Sequence, residues 1–119
     1  QLDCGRGTID VLPEVVAEVD GRAEIIVDGG FMRGTDIVKA MILGADVVGI
    51  GRLQGFGAAA GGVRGVVRVL ELLETEIKIT LALLGVTGYD KLDAGYLKAT
   101  DAVVEPHALS AFPLLDEGY

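Results

Sequence analysis

The sequence predicts an α/β fold in which short buried strands of a parallel sheet alternate with helices. Two segments, 24–28 and 46–50, each carry a run of β-branched apolar residues bounded by turn residues, which is typical of a buried parallel strand. Between them, apolar residues recur at helical spacing. Each predicted strand ends next to glycine, so a ligand could approach the main chain at the carboxyl edge of the sheet.

The first two helices have start and stop signals. Apolar residues at helical spacing predict a helix over residues 9–19, and Gly21 follows its end. The second helix begins at Gly34 or Thr35, since glycine and hydroxyl side chains favour the N-cap. It stops at Gly44, because glycine favours helix C-termini.

The chain after the second strand is predicted to be mostly helical. The Ala- and Gly-rich stretch 55–62 predicts one turn of helix, and residues 63–84 predict a long amphipathic helix. A coiled-coil dimer is less favoured, since the apolar face is too broad for a narrow seam. A short helix near 91–97 and an extended tail over 98–119 follow. The inner stripe of the long helix comprises Val63, Val66, Leu70, Leu73, Ile77, Leu81 and Leu84.

Composition narrows the class of protein. The 119 residues include 18 acidic and 10 basic ones, and the net charge of −8 argues against nonspecific nucleic-acid binding. No apolar run reaches the roughly 20 residues that a membrane span requires. The single cysteine, Cys4, cannot form an internal disulfide, which suits a reducing compartment and predicts a cytoplasmic location.

Two features predict that the chain is part of something larger. A two-stranded parallel sheet leaves apolar edges open, so we expect the chain either to oligomerise or to be a piece of a larger barrel. The sequence also begins at Gln1 without a Met or a leader, which predicts a start inside a longer protein.

A set of short motifs carries a resemblance to a known family. They are Gln1-Leu2-Asp3, Asp28-Gly29-Gly30, Arg33-Gly34-Thr35-Asp36, Leu43-Gly44-Ala45 and Ile50-Gly51-Arg52. Over residues 1–97, with the tail 98–119 outside, the chain resembles the C-terminal part of the FMN-dependent α-hydroxy-acid oxidases and dehydrogenases. This resemblance implies a TIM (β/α)8 barrel, with strands seven and eight and their flanking helices supplied here. It also implies FMN as cofactor and a homo-oligomer at full length. The implied substrate is a small L-2-hydroxy acid similar to lactate, glycolate or mandelate, which is oxidised to the 2-oxo acid.

The resemblance implies which residues bind the cofactor. These are Asp28, Gly29, Gly30, Arg33, Gly51 and Arg52. The glycines lack a Cβ, so phosphate can approach the main chain, and Arg52 can add a charge-assisted hydrogen bond. A carboxylate repels phosphate, so Asp28 is placed nearer the ribityl hydroxyls. On the family pattern Arg33 is a second arginine that need not face the ligand.

Two departures from the family pattern limit what the chain can do. Met32 occupies the position at which many members carry a phosphate-binding arginine, so FMN affinity is expected to rest on Arg52 and backbone amides. The family's catalytic histidine lies in a run directly before Gln-Leu-Asp, a position ahead of Gln1. No catalytic residue is therefore assigned within the chain, and residues 1–119 alone are expected to show no turnover.

Other functions stay open at this point. One is another phosphate- or FMN-binding barrel enzyme, similar to IMP dehydrogenase, isopentenyl diphosphate isomerase or the mycofactocin maturation flavoenzyme. Another is a half-barrel that binds a phosphate ligand without chemistry. His107 is interpreted as an ordinary exposed histidine and Cys4 as noncatalytic, because neither has a placed partner. The acidic group Glu71, Glu74 and Glu76 is interpreted as a solvated helix face rather than a metal site.

Overall fold

The computed structural model describes residues 5–100, in which two strands alternate with three helices. The elements are α1 (Thr8–Val19), β1 (Ile26–Val27), α2 (Gly34–Ile42), β2 (Val47–Val48) and α3 (Arg52–Leu83), followed by 3-10 turns at Tyr89–Lys91 and Ala94–Tyr96. The strands pair in parallel, as predicted, with Ile26 opposite Val47 and Val27 opposite Val48. The predicted α/β class is therefore confirmed for this part of the chain.

Both strands are shorter than the predicted segments 24–28 and 46–50. At the amino end of the pair, the Asp46 carboxylate accepts a hydrogen bond from the Ile25 N–H at 2.8 Å, so a side chain replaces the next backbone partner. At the carboxyl end the last backbone bond runs from the Gly49 N–H to the Val27 carbonyl, at 2.8 Å. After β1 the chain turns away through Gly29 and Gly30, which both have positive φ.

The core of the described part lies between α1, the strands and α2. Its buried members are Leu12, Val27, Phe31, Ala40 and Ala45, and the half-buried Ile9, Val16, Ile25, Leu43, Val48 and Ile50 pack around them. Ile9, Leu12 and Val16 are among the residues whose helical spacing predicted α1, whereas Phe31 and Ala45 lie outside the helices and strands. Burial of this core fixes α1 and α2 against the sheet and so fixes the loops at its carboxyl edge.

Helix α3 is divided by two glycines into two arms. Gly61 (φ −157°, ψ 20°) and Gly62 (φ 56°, ψ −138°) are not helical, so residues 52–60 form a first arm and residues 63–83 a second arm. The second arm confirms the predicted helix over 63–84 to within one residue. The prediction of a single turn over 55–62 was wrong, because the first arm already begins at Arg52.

The two arms of α3 touch through backbone. A Cβ built on Gly65 would lie 1.9 Å from the Gly57 carbonyl oxygen, and one built on Gly57 would lie 2.9 Å from the Gly65 carbonyl oxygen. Real Cβ atoms do not come within 3.0 Å of such an atom unless something shifts. Only glycine permits this approach, and the crossing sets the direction of the first arm.

The predicted stripe of the second arm is only partly buried. Leu73 is buried, whereas Val63 is 81% exposed and Leu70 is 53% exposed. Leu70 lines an open groove of about 450 Å³ between α2, β2 and the second arm. Among residues 5–100 no element covers Val63 and Leu70 of the predicted stripe.

The end of the described part has 3-10 turns instead of the predicted helix over 91–97. Leu92 has extended backbone (φ −96°, ψ 144°), and the Asp93 carboxylate accepts a hydrogen bond from the Gly95 N–H at 2.8 Å. This local bond favours a turn over a continuous helix.

Predictions for residues 1–4 and 101–119, including those for Cys4 and His107, fall outside the described residues. Within residues 5–100, no helix combines the length and apolar character that a membrane crossing requires.

Candidate functional site

The parallel register brings the two predicted glycine segments to one edge of the sheet. Gly49 follows β2 directly, and a Cβ built on it would lie 3.0 Å from the Asp28 Cβ. Segments 28–30 and 50–52 therefore leave neighbouring strands side by side at their carboxyl ends. The side chain of Asp28 is exposed at this edge and forms no hydrogen bond with residues 5–100.

The two glycines after β1 have different roles. Gly29 (φ +116°) and Gly30 (φ +83°) both adopt a conformation that other residues rarely take. A Cβ on Gly29 would lie 2.6 Å from the Thr8 Oγ1, which donates a hydrogen bond to the Asp28 carbonyl, so Gly29 lets this loop pack on α1. A Cβ on Gly30 would meet nothing within 4 Å. Gly30 therefore leaves room for a ligand.

The N-terminus of α2 is closed by carboxylates of the chain itself. The Arg33 and Met32 N–H groups donate to the Asp36 Oδ2 at 3.0 and 3.3 Å. The Gly34 N–H donates to the Glu76 Oε2 at 2.7 Å. Amides at a helix start are the usual donors to an anion, and here those of the N-cap Arg33 and of Gly34 are already used, as is the Met32 amide before the cap.

Arg33 is held by the same glutamate. Its Nε and Nη2 atoms both lie 2.8 Å from the Glu76 Oε1. Hydrogen bonding from Arg33, with a further contribution from the Gly34 N–H, holds the pKa of Glu76 below its ordinary value, and the pKa of Arg33 is raised in turn. The guanidinium is therefore directed toward the second arm of α3.

The N-terminus of α3 is open. Its N-cap, Gly51, has no side chain to cap the helix, and a Cβ built there would meet nothing within 4 Å. Arg52 is the first helical residue, is exposed, and forms no ion pair with residues 5–100. The positive end of the helix dipole and a guanidinium thus coincide next to the glycine loop, which favours an anion at this point.

Met32 takes part in an apolar contact between the loop and α3. It lines a cavity of about 140 Å³ together with Leu53, Val69, Leu72, Leu73 and Glu76. The position predicted to lack a phosphate-binding arginine therefore carries a side chain that is 40% exposed and lines this cavity with Leu53 of the first arm.

Three site residues were missed at the sequence level: Thr8, Asp36 and Glu76. Asp36 had a local signal, since an acidic residue three positions after a helix N-cap commonly binds the cap amide. Glu76 was wrongly placed on the solvated face. Its neighbours Glu71 and Glu74 are exposed as predicted and pair with basic residues of the same arm. Among residues 5–100 no three metal-ligating side chains cluster.

Comparison with known proteins decides the family. A family model described as FMN-dependent dehydrogenase matches residues 1–99. The chain belongs to this family. The predicted family is confirmed, and FMN is the cofactor that the description of the family names.

Named relatives of the family agree with this assignment. The chain is 45% identical over 97 residues to an L-lactate oxidase of Nostoc sp., covering 82% of the chain and 27% of the relative. It is 45% identical over 93 residues to human 2-hydroxyacid oxidase 1, covering 78% and 25%. The structure of a soluble mutant of the membrane-associated (S)-mandelate dehydrogenase from Pseudomonas putida matches with a TM-score of 0.78 at 42% identity, covering 84% and 28%. The chain therefore spans about a quarter of the length of these relatives.

Proposed function

We propose that this chain forms the FMN-phosphate side of the active site of an oxidoreductase that converts an L-2-hydroxy acid to the 2-oxo acid. The observation that carries the proposal is the open N-terminus of α3, where Arg52 lies beside the glycine loop at the same sheet edge. A doubly charged phosphate is the type of ligand that such a helix start favours.

Each predicted residue receives a role in this proposal. The first-turn amides of α3 and the Arg52 guanidinium hold the phosphate, and Gly30 and Gly51 leave the space that a Cβ would fill. Asp28 accepts hydrogen bonds from ribityl hydroxyls. Gly29 shapes the loop by packing on Thr8. Arg33, paired with Glu76, supports the loop without facing the ligand.

The chemistry divides between the cofactor and the protein. Bound FMN supplies the acceptor for the electrons of the substrate C–H bond. The residues of this chain bind and orient the phosphate end, and thereby set where the reactive end of the cofactor lies. We assign no catalytic base to residues 1–119.

The place of the two strands in a complete barrel, the domain boundary, the assembly and the location of the protein are further proposals. β1 and β2 correspond to strands seven and eight of a TIM (β/α)8 barrel, where a phosphate site between the last two βα loops is common. The domain boundary after residue 97, assembly as a homo-oligomer and a cytoplasmic location remain predictions. The names of the matched relatives, which refer to lactate, 2-hydroxy acids and mandelate, support the substrate class over the other barrel enzymes considered.

Arg52→Ala tests the proposed phosphate site. In the full-length protein, freed of flavin and titrated with FMN, loss of a charged hydrogen bond of about 1.5–3 kcal/mol should raise the dissociation constant about 10- to 150-fold. Arg64→Ala removes an exposed arginine from the second arm and serves as the matched control, with no change expected. An unchanged FMN affinity for Arg52→Ala would place the phosphate elsewhere.

The substrate class is tested on the loaded protein. Lactate, glycolate and mandelate are added separately under nitrogen, and the visible flavin absorbance is followed. Bleaching by at least one of them is expected. A preparation that is colourless and cannot be reconstituted with FMN would contradict the proposed function as a whole.

A further inference from the structure

We infer that Glu76 is a positioning residue for the cofactor phosphate: it ties the loop after β1 to α3 and so fixes the two halves of the site relative to each other. This role presupposes the FMN-phosphate site proposed above. Glu76 lies in the second arm of α3, 24 residues after Arg52 in the same helix.

Glu76 contacts two consecutive residues, Arg33 and Gly34, where the loop after β1 meets α2. One carboxylate oxygen accepts two bonds from Arg33 at 2.8 Å, and the other accepts the Gly34 N–H at 2.7 Å. Its side chain is 32% exposed. A Cβ on Gly34 would lie 2.5 Å from the Glu76 Cβ and 2.7 Å from the Ile77 nitrogen, so the start of α2 is in backbone contact with the second arm. The carboxylate thus completes a close joint that glycine makes possible.

The same helix carries both halves of the site. The first arm begins with Arg52, and the second arm holds the loop through Glu76. The arms are locked to each other where Gly57 meets Gly65. The strand pairing already places Arg52 near segment 28–30. A second connection runs through the first arm, the glycine crossing, the second arm and Glu76, and it ties Arg52 to the end of the loop at Arg33 and Gly34.

Glu76 also decides which helix start remains available to an anion. It neutralises Arg33 and uses the Gly34 N–H, while Asp36 accepts bonds from the two preceding amides. A phosphate near α2 would meet two carboxylates at that helix start, whereas at α3 it would meet Arg52 and amides without a side-chain cap. Removal of Glu76 frees a guanidinium at the wrong helix and loosens the loop.

The test compares two flavins that differ only in the phosphate. Full-length protein freed of flavin is titrated with FMN and with riboflavin, and the ratio of the two affinities reports on the phosphate site alone. The variants are Glu76→Ala, the isosteric Glu76→Gln and, as control, Glu71→Gln, which removes an exposed carboxylate paired with Arg68 on the same arm. Thermal unfolding of each variant confirms that it is folded.

We expect Glu76→Ala to lower the FMN-to-riboflavin affinity ratio at least tenfold and Glu76→Gln to lower it less, because the amide oxygen still accepts the Gly34 N–H. Glu71→Gln should leave the ratio within twofold of the wild type. Should Glu76→Ala fail to fold, the Glu76→Gln ratio decides.

Two failures can be told apart. If wild-type protein binds FMN no more tightly than riboflavin, the proposed phosphate site itself is wrong. If wild type discriminates and the Glu76 variants keep the full ratio, or lose affinity for both flavins equally, Glu76 supports the fold only and the inference is overturned.

Discussion

The glycine crossing inside α3 gives the sharpest stability prediction. In Gly65→Ala, the new Cβ would lie 1.9 Å from the Gly57 carbonyl oxygen, a backbone atom that no rotamer change can move. The two arms must separate by at least about 1.1 Å to bring this contact to 3.0 Å. The first arm, with Arg52 at its start, must tilt or shift as a result.

The expected magnitude follows from two opposing effects. Overpacking of a tight contact costs about 1–3 kcal/mol. Replacement of a helical glycine by alanine stabilises the folded state by about 0.5–1 kcal/mol, because alanine loses less conformational freedom on folding than glycine does. Because the new Cβ would meet a backbone atom, we place the overpacking cost at the upper end of this range, about 3 kcal/mol, and expect Gly65→Ala to be destabilised by about 2–2.5 kcal/mol.

Gly55→Ala is the matched control. Gly55 lies in the first arm of the same helix, but a Cβ built there would meet nothing within 4 Å. Only the helix-propensity gain remains, so this variant should be more stable than wild type by up to about 1 kcal/mol. The two glycine-to-alanine variants should therefore change the free energy of unfolding in opposite directions, although both lie in α3.

Thermal and urea unfolding measure the stability of the full-length protein and of both variants. FMN affinity is recorded in parallel, because a displaced first arm should also weaken phosphate binding by Gly65→Ala. Equal stability changes for the two variants, or a stabilised Gly65→Ala, would refute a backbone contact between the arms.

Two further predictions concern the charged residues. Arg33 lowers the pKa of Glu76 below its ordinary 4.5, so the ion pair stabilises the fold fully above about pH 4.5 and is lost as the pH falls through the lowered pKa. The melting temperature of Glu76→Gln should therefore fall less than that of the wild type between roughly pH 5 and 3. Parallel curves of melting temperature against pH would contradict this prediction. Met32→Arg should tighten FMN binding by about tenfold through a new charged hydrogen bond, as measured by titration of the flavin-free protein. Leu72→Arg, which changes another residue that lines the same cavity, is the control. Equal changes in FMN affinity for the two variants would indicate a nonspecific charge effect.

Much of the fold could be predicted because its signals are local. The β-branched runs located both strands, and a helix start at Gly34 was foreseen from small residues at that point. The strand ends could not be placed, since Asp46 replaces a backbone partner from a position 21 residues away. The first arm was underestimated because glycines at 55 and 57 lower helix propensity, while the contact with Gly65 that accommodates them is tertiary.

The candidate site divides in the same way. Residues 28–30 and 50–52 were predicted at one sheet edge, and the parallel register places them there. Glu76 could not be found, because it lies 43 positions from Arg33 among acidic residues that do face solvent. Whether an acidic residue on an amphipathic helix is solvated or pairs with a distant loop depends on helix packing, which the period of the pattern does not specify.

Two helix N-termini meet at the carboxyl edge of this sheet, and their dipoles alone would make both attractive to a phosphate. The chain distinguishes them by its own charges: Asp36 and Glu76 occupy the start of α2, whereas α3 begins with Gly51 and Arg52. Because Met32 stands where a cationic side chain was expected, the loop after β1 contributes shape and the start of α3 contributes charge. Phosphate affinity should therefore respond strongly to charge changes at Arg52, and to changes at Arg33 only through the position of the loop.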